Sequence, residues 1–170
     1  LCAVDKSVRD CFREMTGGSE TPGVTYAGSG GQAPEAYRDT AATEAMFRDL
    51  LMTRHEREIG AGTTLWGIHK DDIKITLDGR EARFYASQGQ QRSLALALKL
   101  SEGEVCGEVC GEVPVFLFDD VFSELDRNRR AYLREKLGGR QVIITSCEPD
   151  AAPGGKRIRV ESGTFREVDG

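Results

Sequence analysis

Two adjacent carboxylates, Asp119 and Asp120, follow the apolar run Val115-Phe116-Leu117-Phe118, where a strand gives way to a loop. This is a Walker B pattern, and it suits phosphoryl chemistry. The first carboxylate can hold a magnesium ion, directly or through water, and the second can orient or deprotonate a water that attacks a terminal phosphate. Solvated loop aspartates or a helix cap would use the same residues without any chemistry. Three other groups share that ambiguity when each is taken alone. Ser87-Gln88-Gly89-Gln90 stands at an expected helix start, where free backbone N–H groups, a serine hydroxyl and a glycine permitting close approach make an anion site, or only a cap. Ser123-Glu124-Leu125-Asp126 begins three residues past the carboxylate pair and reads otherwise as a capped turn. Thr145-Ser146 follows an apolar run directly, so that a side chain there could reach a γ-phosphate or its attacking water.

The elements that must present these groups are written in the periodicity. Val115–Phe118 and Val142–Thr145 predict strands buried on both faces, and Asp126–Leu137 between them predicts a helix capped by Asp126 and stopped by Gly138-Gly139. Strand, helix, strand is a parallel crossover, which puts chemistry at the carboxyl ends of the strands. Leu94, Ala95, Leu98 and Leu100 predict a helix running on from the serine-glycine turn. That helix is expected to fade at the tandem repeat Gly103-Glu104-Val105-Cys106, Gly107-Glu108-Val109-Cys110, Gly111-Glu112-Val113, because each glycine costs about 1 kcal/mol relative to alanine; a mobile connection is the expectation there. Upstream, Val4, Val8, Cys11, Phe12 and Met15 predict a helix whose beginning is expected to lie outside the chain, and Gly17–Pro34 a loop with one edge strand at Val24–Ala27. Ala41, Ala45, Met46, Leu50 and Leu51 predict an amphipathic helix ending near Gly60. Ile73, Ile75 and Leu77 before Asp78-Gly79 predict a β-hairpin, and Ile158–Val168 a second one turning at Ser162-Gly163.

Taken in order, these parts resemble an ABC ATPase head. The resemblance sharpens at Ala86–Lys99 (ASQGQQRSLALALK) and Phe118–Asp126 (FDDVFSELD), which look like the RecF family of DNA replication and repair proteins. Gly67-Ile68-His69-Lys70-Asp71-Asp72 is similar to that family's Gly-Pro-His-Arg-Asp-Asp element, with Ile68 and Lys70 departing from it. It covers roughly Thr40 to Pro149. It implies an α/β fold: an incomplete ABC-type head with a P-loop NTPase-like parallel sheet and helices, plus a small helical and hairpin lobe. The lobe would occupy residues 1–85, and the signature-helix and Walker B part residues 86–170. By the same resemblance, Ser87, Gln88, Gly89 and Gln90 would grip the γ-phosphate of ATP held by a partner subunit. Asp119 would serve magnesium, and Asp120 would fill the base position that many ABC proteins give to glutamate. Ser123 to Asp126 would be the loop crossing the dimer interface, and Thr145 or Ser146 would stand where transporters place a histidine. The implied activity is ATP-driven pairing of heads on single- or double-stranded DNA in recombinational repair, replication restart and the SOS response, alongside other repair proteins.

One part of such a head is missing from the sequence. A phosphate-binding loop needs Gly-x-x-x-x-Gly-Lys followed by Ser or Thr, whereas Gly155-Lys156 is followed by Arg157 and has Asp150 in the first glycine's place. Negligible ATP binding and hydrolysis by the chain alone is therefore expected, and a chain that is the C-terminal part of a longer protein. Two other readings stand beside this one: a non-catalytic protein-interaction module, and a fragment of another ABC or SMC-like ATPase. No coiled-coil heptads support an SMC-like ATPase, and Asp120 with Thr145-Ser146 in place of glutamate and histidine argues against a transporter. The formal charge of −5 would repel a phosphate backbone, so any DNA contact must be local or shared. No apolar run spans a membrane and no signal peptide is apparent, so a cytoplasmic site is expected. Five cysteines then read as reduced thiols; Cys106 and Cys110 lack the second pair that a tetrahedral zinc site needs. His69 with Asp71 and Asp72 reads as a hydrogen-bonded or exposed histidine beside acids rather than as a metal site.

Overall fold

Val8, Cys11, Phe12 and Met15 recur at i, i+3, i+4 and i+7, and all four are buried on helix α1 (Cys2–Thr16). The computed structural model describes residues 1–148 and 155–168, so Asp150 and Pro149 lie outside the described residues. The chain divides into two compact units, Leu1–Val105 and Cys106–Gly170.

In the first unit β1 (Pro22–Ala27) pairs antiparallel with β2 (Asp72–Leu77), in a register that sets Pro22 opposite Leu77 and Ala27 opposite Asp72. The chain turns at Asp78-Gly79 into a two-residue β3 (Arg80–Glu81), then into the short helix α3 (Ala82–Tyr85). Asp78 and Gly79 have φ of 50° and 76°, the left-handed pair that a tight hairpin requires. Helix α2 (Thr40–Ala61) is capped by Asp39, whose carboxylate accepts the Ala42 N–H at 3.0 Å. The broad apolar stripe expected on it is not covered: Leu50 is buried, Met46 and Phe47 are half-buried, and Ala41, Ala45 and Leu51 are exposed. Its neighbour is the Pro34–Arg38 turn, whose Tyr37 ring meets Phe47 at 6.3 Å, and a single turn covers one line of residues where a sheet would cover a face.

The loop carrying Gly67–Asp72 is pinned from both sides. Tyr26 on β1 donates its hydroxyl to Asp71, the Ser29 N–H donates to the same carboxylate at 2.6 Å, and the Gly67 N–H donates to the Ser29 hydroxyl at 3.0 Å. Tyr37 packs so closely against Gly28 that a Cβ there would lie 2.0 Å from its hydroxyl oxygen, so any larger residue would have to displace the Tyr37 ring. Burial pushes the Asp71 carboxyl up, but the Ser29 and Tyr26 hydrogen bonds outweigh it and hold the group below the usual range. The Tyr26 phenol is pushed up to about 12, chiefly by its bond to Asp71. A phenol whose folded pKa exceeds its unfolded value of about 10 contributes stability that is intact below pH 10 and lost between there and pH 12. Alkaline denaturation should therefore show an extra loss across that window. Tyr26→Phe should remove it, and an identical alkaline profile in the variant would refute the assignment.

Helix α4 (Gln88–Cys110) corrects the expectation of a mobile connection, since the tandem repeat is helical through Cys110. Glu104 accepts the Ser7 hydroxyl of α1 at 2.6 Å, and Val105 is half-buried. These tertiary anchors, both in the first half of the repeat, offset part of the glycine penalty. The buried face of α4 is Ser93, Leu94, Leu96, Ala97, Leu100 and Ser101.

The second unit holds the crossover that the sequence predicts. Strands β4 (Phe116–Asp119) and β5 (Val142–Thr145) are parallel neighbours, with Phe116 opposite Val142 and Asp119 opposite Thr145, and α5 (Arg127–Lys136) joins them. Phe116 and Phe118 stack at 6.0 Å on the covered face, and Phe122, Leu125, Leu133 and Leu137 are also buried. Burial on both faces does not occur, however: Leu117 is 72% and Ile143 55% exposed. Side chains alternate across a strand, so one packed layer covers only every second residue. The hairpin β6 (Arg157–Glu161) and β7 (Thr164–Val168) turns at Ser162-Gly163 as predicted. No helix among the described residues is long and apolar enough to cross a membrane.

Candidate functional site

The chemistry-bearing residues fall into two clusters, one in each unit. In the first, Ser87 and Gln90 form a capping box: the Gln90 N–H donates to the Ser87 hydroxyl oxygen at 3.3 Å, and the Ser87 N–H donates to the Gln90 carboxamide oxygen at 2.6 Å. The Gln90 carboxamide nitrogen also donates to Glu20. Ser87, Gln88 and Gly89 are exposed, and among the described residues no acceptor is found for the amides of Gln88 and Gly89. Two free N–H groups and a hydroxyl proton at the start of a 23-residue helix are donors that suit an anion. Gln90 is committed to the cap and to Glu20, so its side chain is the least available of the four.

In the second cluster, strand register fixes the geometry. Asp119 and Thr145 are directly opposite at the carboxyl ends of β4 and β5, and the Thr145 hydroxyl donates to Asp119. The Asp120 N–H is shared between the Thr145 carbonyl at 3.1 Å and its hydroxyl oxygen at 3.2 Å. Asp120 itself has φ +49°, which turns the chain out of the strand. The Ser123 hydroxyl donates to the Asp120 carbonyl at 2.7 Å, tying the next turn back to the carboxylate pair. Asp119, Asp120, Thr145 and Ser146 are all exposed. Asp126 is occupied as the cap of α5, accepting the Arg129 N–H at 2.9 Å and its guanidinium at 2.8 Å. The Ser146 hydroxyl oxygen accepts the Glu148 N–H at 3.0 Å. Asp119, Asp120 and Thr145 offer oxygen atoms, the ligand type that a hard cation such as magnesium takes, although among the described residues no group of three or more potential metal ligands occurs.

Arg130 was not singled out by the sequence, yet it bridges two parts of this cluster. Its Nε donates to the Leu125 carbonyl at 2.8 Å, while its two terminal nitrogens fork onto Glu148 at 2.7 and 3.2 Å. The Ser123–Asp126 turn is thereby joined to the segment after β5. The hydrogen bond between the partners raises the Arg130 pKa and lowers that of Glu148. The only signal in the sequence is the i, i+5 spacing from Leu125 to Arg130 across the helix start, which many unrelated arginines share. Asp71, by contrast, is engaged by Tyr26 and Ser29, and His69 beside it is exposed.

No family model matches the chain. It is 43% identical over 143 residues to the DNA replication and repair protein RecF of Moorella thermoacetica, covering 84% of this chain and 35% of that protein. To the RecF of Geobacter sulfurreducens it is 37% identical over 150 residues, 87% of this chain and 40% of the relative. Among solved structures, the recombination mediator protein RecF-ATP of the RecFOR pathway superposes with a TM-score of 0.81 at 32% identity, covering 99% of this chain and 44% of that one. The RecF-ATPrS structure matches equally, at 31% identity. The chain thus spans well under half the length of the proteins it matches.

Proposed function

Because the chain matches a C-terminal part of RecF in both sequence and fold, we propose that it supplies three parts of an ATPase head: signature turn, Walker B carboxylates and interface loop. The observation that carries this reading is the pairing of Asp119 with Thr145 at adjacent strand ends, with Asp120 turned outward beside them. Asp119 would hold magnesium, and Asp120 would orient or deprotonate the attacking water. Magnesium, when bound, supplies neutralisation of the phosphate charge. Ser87 and the Gln88 and Gly89 amides would meet the γ-phosphate of a nucleotide seated on another head. Ser123 would stand in the loop between heads, and Thr145 would keep Asp119 aligned. Residues 1–85 would form a smaller lobe and 86–170 the catalytic part.

The triphosphate's main cradle, a phosphate-binding loop, is not written in this sequence and must come from another stretch of protein. ATP would pair two heads on DNA during recombinational repair, in the cytoplasm and with other repair proteins, and hydrolysis would release them. With a net charge of −5, the DNA surface would belong to the assembled protein rather than to this chain. Reconstitution tests the reading. The chain alone should show no ATP binding in calorimetry and no hydrolysis, and mixing it with a loop-bearing RecF portion should restore turnover that Asp120→Asn removes. Stoichiometric ATP binding by the chain alone, or restored turnover indifferent to Asp120→Asn, would contradict it.

A further inference from the structure

The tandem repeat in α4 sets Cys106 and Cys110 four residues apart, and because that segment is helical both thiols stand on one face of its last turn. Their sulfurs lie 3.9 Å apart, and both residues are exposed. Two thiolates on one tetrahedral divalent ion, with metal–sulfur bonds of about 2.3 Å, stand about 3.8 Å from each other. The pair therefore has the bite of a chelate without rearrangement. We propose that Cys106 and Cys110 form a two-thiolate site for a thiophilic divalent cation of the zinc and cadmium class, its remaining positions filled by solvent.

Cys11 is buried, and Cys2 and Cys147 lie far away in sequence, so the repeat alone supplies two neighbouring exposed thiols. Among the described residues no group of three or more potential ligands occurs, which makes this an exchangeable site and not a structural zinc centre. Binding exchanges two thiol protons for the ion. It also closes a ring across one helical turn, so the ion binds best when that turn is formed. The turn includes Gly107 and is followed by Gly111, and helix there is intrinsically weak. Occupancy would stiffen the stretch of chain that leads from the Ser87 helix to the Asp119 strand.

The test is to titrate the reduced, metal-free chain with cadmium alone, following thiolate-to-cadmium charge-transfer absorbance and, by circular dichroism, helicity. The absorbance should saturate at a defined stoichiometry while the helicity of the chain, already formed through Cys110, is retained. Even outer-shell partners of a metal are worth about 10–100-fold in affinity, so losing a ligand through Cys106→Ser or Cys110→Ser should cost about a hundredfold. The double variant Cys2→Ser/Cys147→Ser should bind as the unaltered chain does. Both tested positions are exposed, and matching circular dichroism of the metal-free variants would confirm that the fold is kept. No saturable absorbance in the unaltered chain, or undiminished affinity in Cys106→Ser/Cys110→Ser, would overturn the proposal.

Discussion

Replacing Ser87 by arginine in a full-length RecF-type protein is expected to abolish ATP-dependent pairing of heads while leaving nucleotide binding to the single head nearly intact. Ser87 is exposed at the first turn of α4, and its hydroxyl oxygen accepts the Gln90 N–H at 3.3 Å. As a cap alone it is worth about 1 kcal/mol, a small fraction of the roughly 5–15 kcal/mol by which a domain is stable. Arginine at that position therefore leaves the fold standing. What it removes is the open approach to the Gln88 and Gly89 amides, since a long side chain occupies the space in front of them. Sedimentation or light scattering with and without ATP measures the pairing, and filter binding measures nucleotide on the single head. If pairing persists, Ser87 is a cap and nothing more; if nucleotide binding falls in step, the damage reaches beyond the proposed contact.

Phe122→Ala should be the most destabilising single change in the second unit. Phe122 is fully buried in the turn after Asp120, with the Arg134 guanidinium 5.7 Å from its ring centre. Truncation of a buried phenylalanine costs about 3–5 kcal/mol, from lost transfer free energy and the cavity left behind. The ring also seats the backbone between Asp120 and Leu125, so the carboxylate pair and the following turn should loosen together. Phe165→Ala offers the contrast: that ring is 72% exposed, and its removal should change stability by no more than about 0.5 kcal/mol. Urea denaturation of the two variants side by side decides the matter, and equal midpoints would refute this account of the core.

The features that sequence conveyed were those with a local cause. Asp126 caps α5, Asp78-Gly79 and Ser162-Gly163 turn their hairpins, and two apolar runs flanking a helix form the crossover, because each signal lies within a few residues of what it dictates. The misjudged features depended on distant partners. The glycine-rich repeat is helical through Cys110, and its Glu104 accepts a hydrogen bond from Ser7, 97 residues away. Leu117 and Ile143 look like core in a list of residues, yet whether a strand face is covered depends on what packs against it. Arg130 and Glu148 are 18 residues apart and meet only because the crossover brings α5 beside the end of β5. Of the candidate site, Asp119, Asp120 and Thr145 are brought together as their positions at strand ends suggested, whereas Gln90 and Asp126 have prior commitments that residue type alone could not reveal.

Asp120 departs from the strand with φ +49°, and that bend constrains which amino acids the position can accommodate. Aspartate and asparagine enter the left-handed region several-fold more readily than most other non-glycine residues, a preference of roughly 1 kcal/mol. A glutamate installed at 120 would keep the charge at a small added cost in backbone strain. The shorter acid at this position is thus compatible with the bend that carries the chain out of β4.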